Sequence, residues 1–119
     1  MEQNKSLFVE FFGDYPLVRV MDFLIENDEF DYCRKDICDY ADVSWNTLEK
    51  FWKRLEKIKI ISFTRKVGKA RLYRLNRSNK TVQKLIELDN TLLKQSLGSI
   101  GNGAKKQLAR ETVGTARPH

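Results

Sequence analysis

The sequence has little histidine and cysteine, two residues on which many catalytic and metal sites depend. Its single histidine, His119, is the last of 119 residues, and its only cysteines are Cys33 and Cys38. Two thiols and one terminal imidazole do not complete a four-ligand zinc site within one chain. No glycine-rich phosphate loop and no nucleophile paired with a general base is present either. We therefore expect no enzyme, no metal and no cofactor, and we expect reduced cysteines in a cytoplasmic protein.

Long apolar runs are also missing. No stretch approaches the ~18 consecutive apolar residues that a membrane span needs, and residues 1–5 are not a basic segment followed by an apolar one. The sequence thus predicts neither a membrane span nor a secretory signal. A hydrophobic content of 41% and a charged content of 32% are typical of a soluble domain with one modest core.

Charge is divided unevenly along the chain. Residues 1–42 hold eleven Asp or Glu against four Lys or Arg, a net charge of −7, whereas residues 43–119 hold five against eighteen, a net charge of +13. This distribution indicates a basic binding surface backed by an acidic one. Nucleic acid, an anionic membrane and an acidic protein are all partners that such a surface attracts, so charge defines a class of partner and no more.

Apolar spacing predicts three helices in the acidic part of the chain. Residues 5–12 form a short one, whose apolar side chains either close the core or meet another subunit: Leu7, Phe8, Phe11 and Phe12. Pro16 suits the first turn of a second helix that runs to about Glu26. A third is expected over residues 32–40, followed by a tight connection.

The chain is organised around a longer helix that follows Ser44, a good N-cap residue. Its apolar side chains recur at three- and four-residue spacing: Leu48, Phe51, Trp52, Leu55 and Ile58. The opposite face carries Asn46, Glu49, Lys50, Lys53 and Lys57, with Trp45 and Arg54 on its flanks. Such a helix either enters a DNA major groove or is simply solvated. With the preceding helix and a connection of three or four residues, it predicts a helix-turn-helix.

A basic β-hairpin is expected after this helix. The apolar period falls to two over residues 58–65 and again over residues 70–75, which indicates two strands. Residues 66–69 form the turn between them, in which Gly68 can take a positive φ. The hairpin carries Arg65, Lys66, Lys69 and Arg71 with no acidic residue between them. Edge lysines and arginines can serve solubility alone, but the uniform sign favours binding.

Residues 80–97 predict a last helix with more apolar side chains than one core-facing stripe requires. Leu85, Leu88 and Leu92 fit the short seam of a helix pair between two subunits, while packing onto the domain's own first helix is the alternative. We thus expect a domain over residues 1–97. The composition from Gly98 onward predicts that residues 98–119 are a disordered basic tail, which either adds phosphate attraction or is inert.

The order of these elements resembles the winged helix-turn-helix fold. The resemblance is carried by Val43-Ser44-Trp45-Asn46-Thr47-Leu48, by Leu55, by Ile60-Ile61 and by the hairpin from Arg65 to Asn76, which is centred on Gly68 and contains Tyr73-Arg74-Leu75. With Phe12-Gly13-Asp14 before the second helix, residues 7–97 look similar to small archaeal winged-helix transcriptional regulators. Trp45 departs from the pattern, because a small or basic residue is common there.

The resemblance implies a mainly α domain with a two-stranded β-hairpin wing that regulates transcription. It implies a cytoplasmic, nucleoid-associated homodimer on a pseudo-palindromic site of double-stranded DNA. The dimer contact would use Leu85, Leu88 and Leu92, with Leu7, Phe8 and Phe11 as a second set. A protein-interaction module or an RNA-binding module with the same fold is the alternative.

The implied DNA contacts lie on the long helix and the wing. They are Ser44, Trp45, Asn46, Thr47, Lys50, Lys53, Arg54, Lys57, Arg65, Lys66, Lys69 and Arg71. Asn46, Thr47 and Lys50 would reach base edges, and the other cations would contact phosphates or, on the wing, the minor groove. Glu49 would either accept a hydrogen bond from cytosine or pair with Lys53 four residues on, and the spacing favours the ion pair.

Overall fold

Five helices and three strands follow one another over residues 5–100, the part of the chain that this computed structural model describes, with side chains up to Gly98. They are α1 (Leu7–Phe12), α2 (Pro16–Glu26), β1 (Tyr32–Cys33), α3 (Arg34–Ala41), α4 (Trp45–Lys57), β2 (Ile61–Val67), β3 (Ala70–Leu75) and α5 (Lys80–Ile100). The predicted mainly helical fold with a β-hairpin is confirmed. Helix α5 ends three residues later than predicted, and the predicted tail from residue 101 onward lies outside the described residues.

Two local sequence signals place α2 and α4. Helix α2 opens on Pro16, where the missing N–H is not needed. Ser44 is the N-cap of α4, because its hydroxyl oxygen accepts a hydrogen bond from the Thr47 N–H at 3.2 Å. Both helix starts were predicted from the sequence, and both are confirmed.

The connection between α3 and α4 is three residues long and is held from α2. Asp42 ends α3 in the left-handed region, with φ 58°. Arg19 of α2 donates from Nε to the Ala41 carbonyl at 3.0 Å and from Nη2 to the Asp42 carbonyl at 2.9 Å. Its Nη1 donates to Asp14 at 2.9 Å, and Arg19 followed by Lys5 holds the pKa of Asp14 below its usual value. One guanidinium thus fixes the end of α3 against the start of α2.

A three-stranded antiparallel sheet has the order β1-β3-β2. Tyr32 and Cys33 were expected to open a helix, and this is wrong: they are extended and pair with Tyr73 and Leu72, so the helix begins at Arg34. Two residues are too few to show a period of two. Their conformation comes from pairing with a strand about forty positions away.

The hairpin contains a β-bulge at Thr64. Phe63 is opposite Tyr73, yet Arg65 is opposite Leu72, so Thr64 is an extra residue in β2. Cross-strand partners share a face of the sheet. Phe63 and Arg65 therefore lie on opposite faces, although strict alternation would place them together.

Helix α4 ends earlier than the apolar pattern indicates. Ile58 was placed on the buried face but is 53% exposed, because the helix stops at Lys57 and the chain turns at Lys59, which has φ 63°. The Ile60 N–H bonds to the Leu55 carbonyl and the Lys59 N–H to the Glu56 carbonyl. This pair of bonds is a Schellman motif, which directs the chain out of α4 into β2.

The core lies between α2, α3, α4, the sheet and the first turn of α5. Its most buried side chains are Val20, Leu24, Ile37, Leu48, Trp52, Leu75 and Val82. From α1, Phe8 joins this core whereas Phe11 is 61% exposed, so Phe8 is not available to a second subunit as was expected. None of the helices within residues 5–100 is long and apolar enough to cross a bilayer.

Candidate nucleic-acid interface

Helix α4 presents a row of exposed polar side chains along the side opposite its buried stripe. This α4 row consists of Asn46, Lys50, Lys53 and Lys57, all exposed, while Leu48, Phe51, Trp52 and Leu55 are buried. None of the three lysines forms an ion pair with any residue of the described range 5–100. Except at Ile58, the partition of the helix predicted from the sequence is therefore confirmed, and the row carries positive charge that no acidic residue of this range compensates.

The first turn of α4 is occupied by its own capping contacts. The Ser44 hydroxyl accepts from the Thr47 N–H and donates to Thr47 Oγ1 at 2.9 Å. Thr47 is half-buried, whereas Trp45 and Asn46 are exposed. Asn46 is thus the freest polar side chain at this end of the helix, and Ser44 contributes chiefly by positioning the turn. Arg54 is exposed on one flank of the α4 row.

Glu49 pairs with a neighbouring helix and not with Lys53. Arg34, at the start of α3, donates from Nη1 to Glu49 Oε2 at 2.7 Å. The predicted pair between Glu49 and Lys53 is therefore wrong, because the short turn brings α3 across the side of α4. The same guanidinium lies 4.9 Å from the centre of the Trp45 ring, a cation–π distance. Lys53 is left unpaired within the described residues.

The hairpin cations are divided between two faces of the sheet. Lys66 pairs across the strands with Arg71, on the face that also carries Tyr73. The Tyr73 ring meets the Trp52 ring of α4 at 5.2 Å between centroids, so this face is directed towards α4. Arg71 is held there, since its guanidinium lies 4.1 Å from the centre of the Phe63 ring and donates to the Tyr73 hydroxyl. Lys66 and Arg71 thus lie on the α4 side.

Arg65 lies on the other face and is bound to an acidic residue. It donates from Nε to Asp31 Oδ2 at 2.9 Å and from Nη2 to Oδ1 at 3.2 Å. The Thr64 hydroxyl donates to the same carboxylate at 2.6 Å. Arg65 and then Thr64 lower the pKa of Asp31 to about 2, and Asp31 in turn raises the pKa of Arg65. The sequence placed Arg65 among the DNA contacts, but its charge is compensated here.

The tip of the hairpin lies beside the start of α4. A cleft of about 370 Å³ separates them and is lined by Cys33, Arg34, Lys35, Trp45, Lys69, Ala70 and Arg71. We call it the Trp45 cleft. Arg34 and Lys35 were not identified from the sequence, because they belong to the acidic half of the chain and reach this surface only through the fold. The cleft shows that cations of α3 and of the hairpin converge next to the first residue of α4.

Comparisons of the chain with family models, with curated proteins and with solved structures found no match. What the protein does is therefore inferred from its own residues and their arrangement.

Proposed function

We propose that the protein is a sequence-specific, double-stranded DNA-binding transcriptional regulator of the winged helix-turn-helix class. The α4 row carries the proposal: an amide and three lysines without acidic partners in the described residues, spaced along one side of a 13-residue helix. A helix of this kind fits the major groove of B-DNA. In this proposal α4 is the recognition helix, and β2 and β3 form the wing.

The roles of the individual side chains follow from their surroundings. Asn46 and Lys50, exposed near the start of α4, are proposed to contact base edges, since asparagine pairs with adenine and lysine with guanine. Lys53 and Lys57 are proposed to contact phosphates, with Arg54 on the flank. On the wing we favour the cations on the α4 side and at the tip over Arg65: Lys66, Lys69 and Arg71.

A homodimer is part of the proposal, with its seam on α5. Val82 is buried in the core, and Leu85 and Ile86 pack against it. Leu85 is thus partly used by its own subunit, and the seam is proposed on the half-buried Leu88 and Leu92 farther along the helix. Two such domains would place their α4 helices in successive major grooves, about 34 Å apart.

Fluorescence anisotropy with labelled DNA tests the proposal. Binding to a random duplex should weaken steeply as salt rises, because bound lysines release counterions from phosphates. The variant Lys50→Gln/Lys53→Gln should lower affinity and flatten the salt slope by about one for each phosphate that is no longer neutralised. The control Lys84→Gln changes charge on the exposed side of α5 and should leave binding unchanged.

Two results would contradict the proposal. Affinity that does not depend on salt would favour the protein-interaction module instead, and tighter binding to an RNA duplex of the same sequence would favour the RNA-binding module. Selection of bound sequences from a random duplex pool then tests sequence specificity, which requires enrichment of a common motif.

A further inference from the structure

The charged side chains that line the Trp45 cleft are all cations. Arg34 and Lys35 come from the start of α3, whereas Lys69 and Arg71 come from the hairpin. Arg34 is paired with Glu49 and Lys35 with Asp39, but Lys69 forms no ion pair within the described residues. Arg71 has no acidic partner within the described residues either, so two of the four cations are uncompensated and two are paired. Such a group of donors from two elements suits a phosphate.

The cleft also has an aromatic wall. Trp45 is 46% exposed, although it is a large apolar side chain at the start of a helix. Arg34 lies over its ring at 4.9 Å and so holds the indole from one side. An exposed indole fixed in this way is a stacking surface for a nucleobase, and stacking on it requires no particular base sequence. Such stacking would give Trp45 a role other than the duplex contact that the resemblance to winged-helix regulators implies.

The cations and the Trp45 indole line the same cleft, and its volume suits a small ligand. The volume of about 370 Å³ is at the lower end of the range of small-ligand sites, about 300–1,000 Å³. A mononucleotide has one aromatic ring system and one phosphate, which match the Trp45 indole and the Lys69 ammonium group of the cleft.

We propose that the Trp45 cleft binds a nucleotide, either free or as an unpaired nucleotide of a DNA strand. The base stacks on Trp45, and the phosphate is bound by Lys69 with Lys35 and Arg71 beside it. This inference goes beyond the proposed function, because a free nucleotide needs neither the α4 row nor a duplex.

Intrinsic fluorescence tests the proposal on the full-length protein. Trp52 is 1% exposed, so a ligand that stacks on an indole should change the emission of Trp45 alone. Adenosine 5′-monophosphate should quench the emission with a saturable curve, whereas ribose 5-phosphate, which has no base, should not. A titration with a single-stranded trinucleotide forms the second arm. Tighter binding of the trinucleotide would assign the site to an unpaired strand, and tighter binding of the monophosphate to the free nucleotide.

Surface variants locate the site. Trp45→Leu should weaken binding of labelled adenosine monophosphate about tenfold in equilibrium dialysis, as expected for the loss of one stacked base. Lys35→Gln/Lys69→Gln should weaken it several-fold and more so at low salt. The control Lys84→Gln/Lys94→Gln removes two lysines from the exposed side of α5 and should bind normally.

The outcomes separate this proposal from the function proposed above. Lys50→Gln/Lys53→Gln should lose duplex affinity and keep nucleotide binding. Nucleotide binding without any duplex binding would contradict only the DNA-binding proposal. No saturable quenching by either ligand, or equal weakening by the cleft and control variants, would overturn the nucleotide site.

Discussion

Arg34 Nη1 donates a hydrogen bond to Glu49 Oε2 at 2.7 Å, and this contact joins the first turn of α3 to α4. The two residues are fifteen positions apart and belong to different helices. Their pairing neutralises a carboxylate that would otherwise lie beside the α4 row and repel DNA phosphates. It also leaves Lys53 without an ion pair among residues 5–98 and places a guanidinium against Trp45. The ion pair between Arg34 and Glu49 therefore affects both proposed binding surfaces, the α4 row and the Trp45 cleft.

Removal of the carboxylate should strengthen DNA binding. In Glu49→Gln, Arg34 loses its partner and the interface gains one positive charge, so duplex affinity should rise and the salt slope should steepen by up to about one. The free energy of unfolding should fall by only about 0.5 kcal/mol, since the pair is partly exposed. Glu87→Gln, the same change on the exposed side of α5, is the control. An equal gain in both variants would show that net charge alone is responsible.

The contact between Asp31 and Arg65 predicts a pH dependence of stability. The pKa of Asp31 is lowered from 3.8 to about 2, so its ionised form stabilises the folded state. This contribution is fully present above pH 3.8 and is lost as the pH falls towards about 2. The variant Asp31→Asn lacks this contribution to the free energy of unfolding at every pH. Urea unfolding of both proteins should therefore show a stability difference that is constant near neutral pH and shrinks below pH 3.8. A difference that does not change with pH would refute the role of the carboxylate.

Arg19 should contribute more to stability than any exposed lysine. Its three hydrogen bonds join α2 to the last carbonyls of α3 and to Asp14. Arg19→Lys keeps the charge but cannot reproduce the planar set of donors, and it should lower the free energy of unfolding by about 2 kcal/mol. Lys84→Gln should change it by less than about 0.5 kcal/mol. Circular dichroism during urea unfolding measures both. Equal stability of Arg19→Lys and the native protein would mean that the connection between α3 and α4 does not depend on the Arg19 hydrogen bonds.

The two non-glycine residues that lie in the left-handed region within residues 5–100 should respond differently to substitution by glycine. Lys59 has φ 63° in the Schellman motif after α4, a conformation that costs a residue with a Cβ roughly 1–2 kcal/mol. Lys59→Gly should raise the free energy of unfolding by about 0.5–1 kcal/mol after the greater freedom of glycine in the unfolded chain is counted. Aspartate tolerates the left-handed region better, so Asp42→Gly should gain less. Thermal unfolding of the two variants checks this order, and the reverse order would contradict it.

The subunit seam proposed on α5 can be tested by mass. Leu88→Asp places a charge in the seam, and light scattering should show half the native mass. Thr91→Asp, on an exposed position of the same helix, should leave the mass unchanged. A native protein that is already monomeric at micromolar concentration would remove the dimer from the proposal.

Local signals made most of the fold predictable. Pro16, the Ser44 cap and the apolar stripe of α4 act within one or two helical turns, and the elements that they predict agree with the structure. Strand β1 was missed because it is two residues long and exists through its pairing with β3. The end of α4 was misplaced because Ile58 fits the apolar period but follows the last helical residue.

The candidate site was predictable only where one helix supplies it. The exposure of Lys50, Lys53 and Lys57 follows from helical spacing alone. The ion-pair partners of Glu49 and Arg65 do not follow from helical spacing, because each is a residue that the fold brings in from another part of the chain. A sequence pattern carries no information on such pairs.

The bulge at Thr64 determines which basic side chain of the hairpin lies on the α4 side. With it, Lys66 shares a face with Arg71 and Tyr73, while Arg65 is on the reverse face with Leu72. A regular strand of the same composition would exchange the two and set the neighbouring Val67 on the α4 side. Loss of this bulge would therefore exchange the faces of Arg65 and Lys66 without altering the composition of the hairpin. A change at position 64 can thus alter which cations lie on the α4 side without any change in α4 itself.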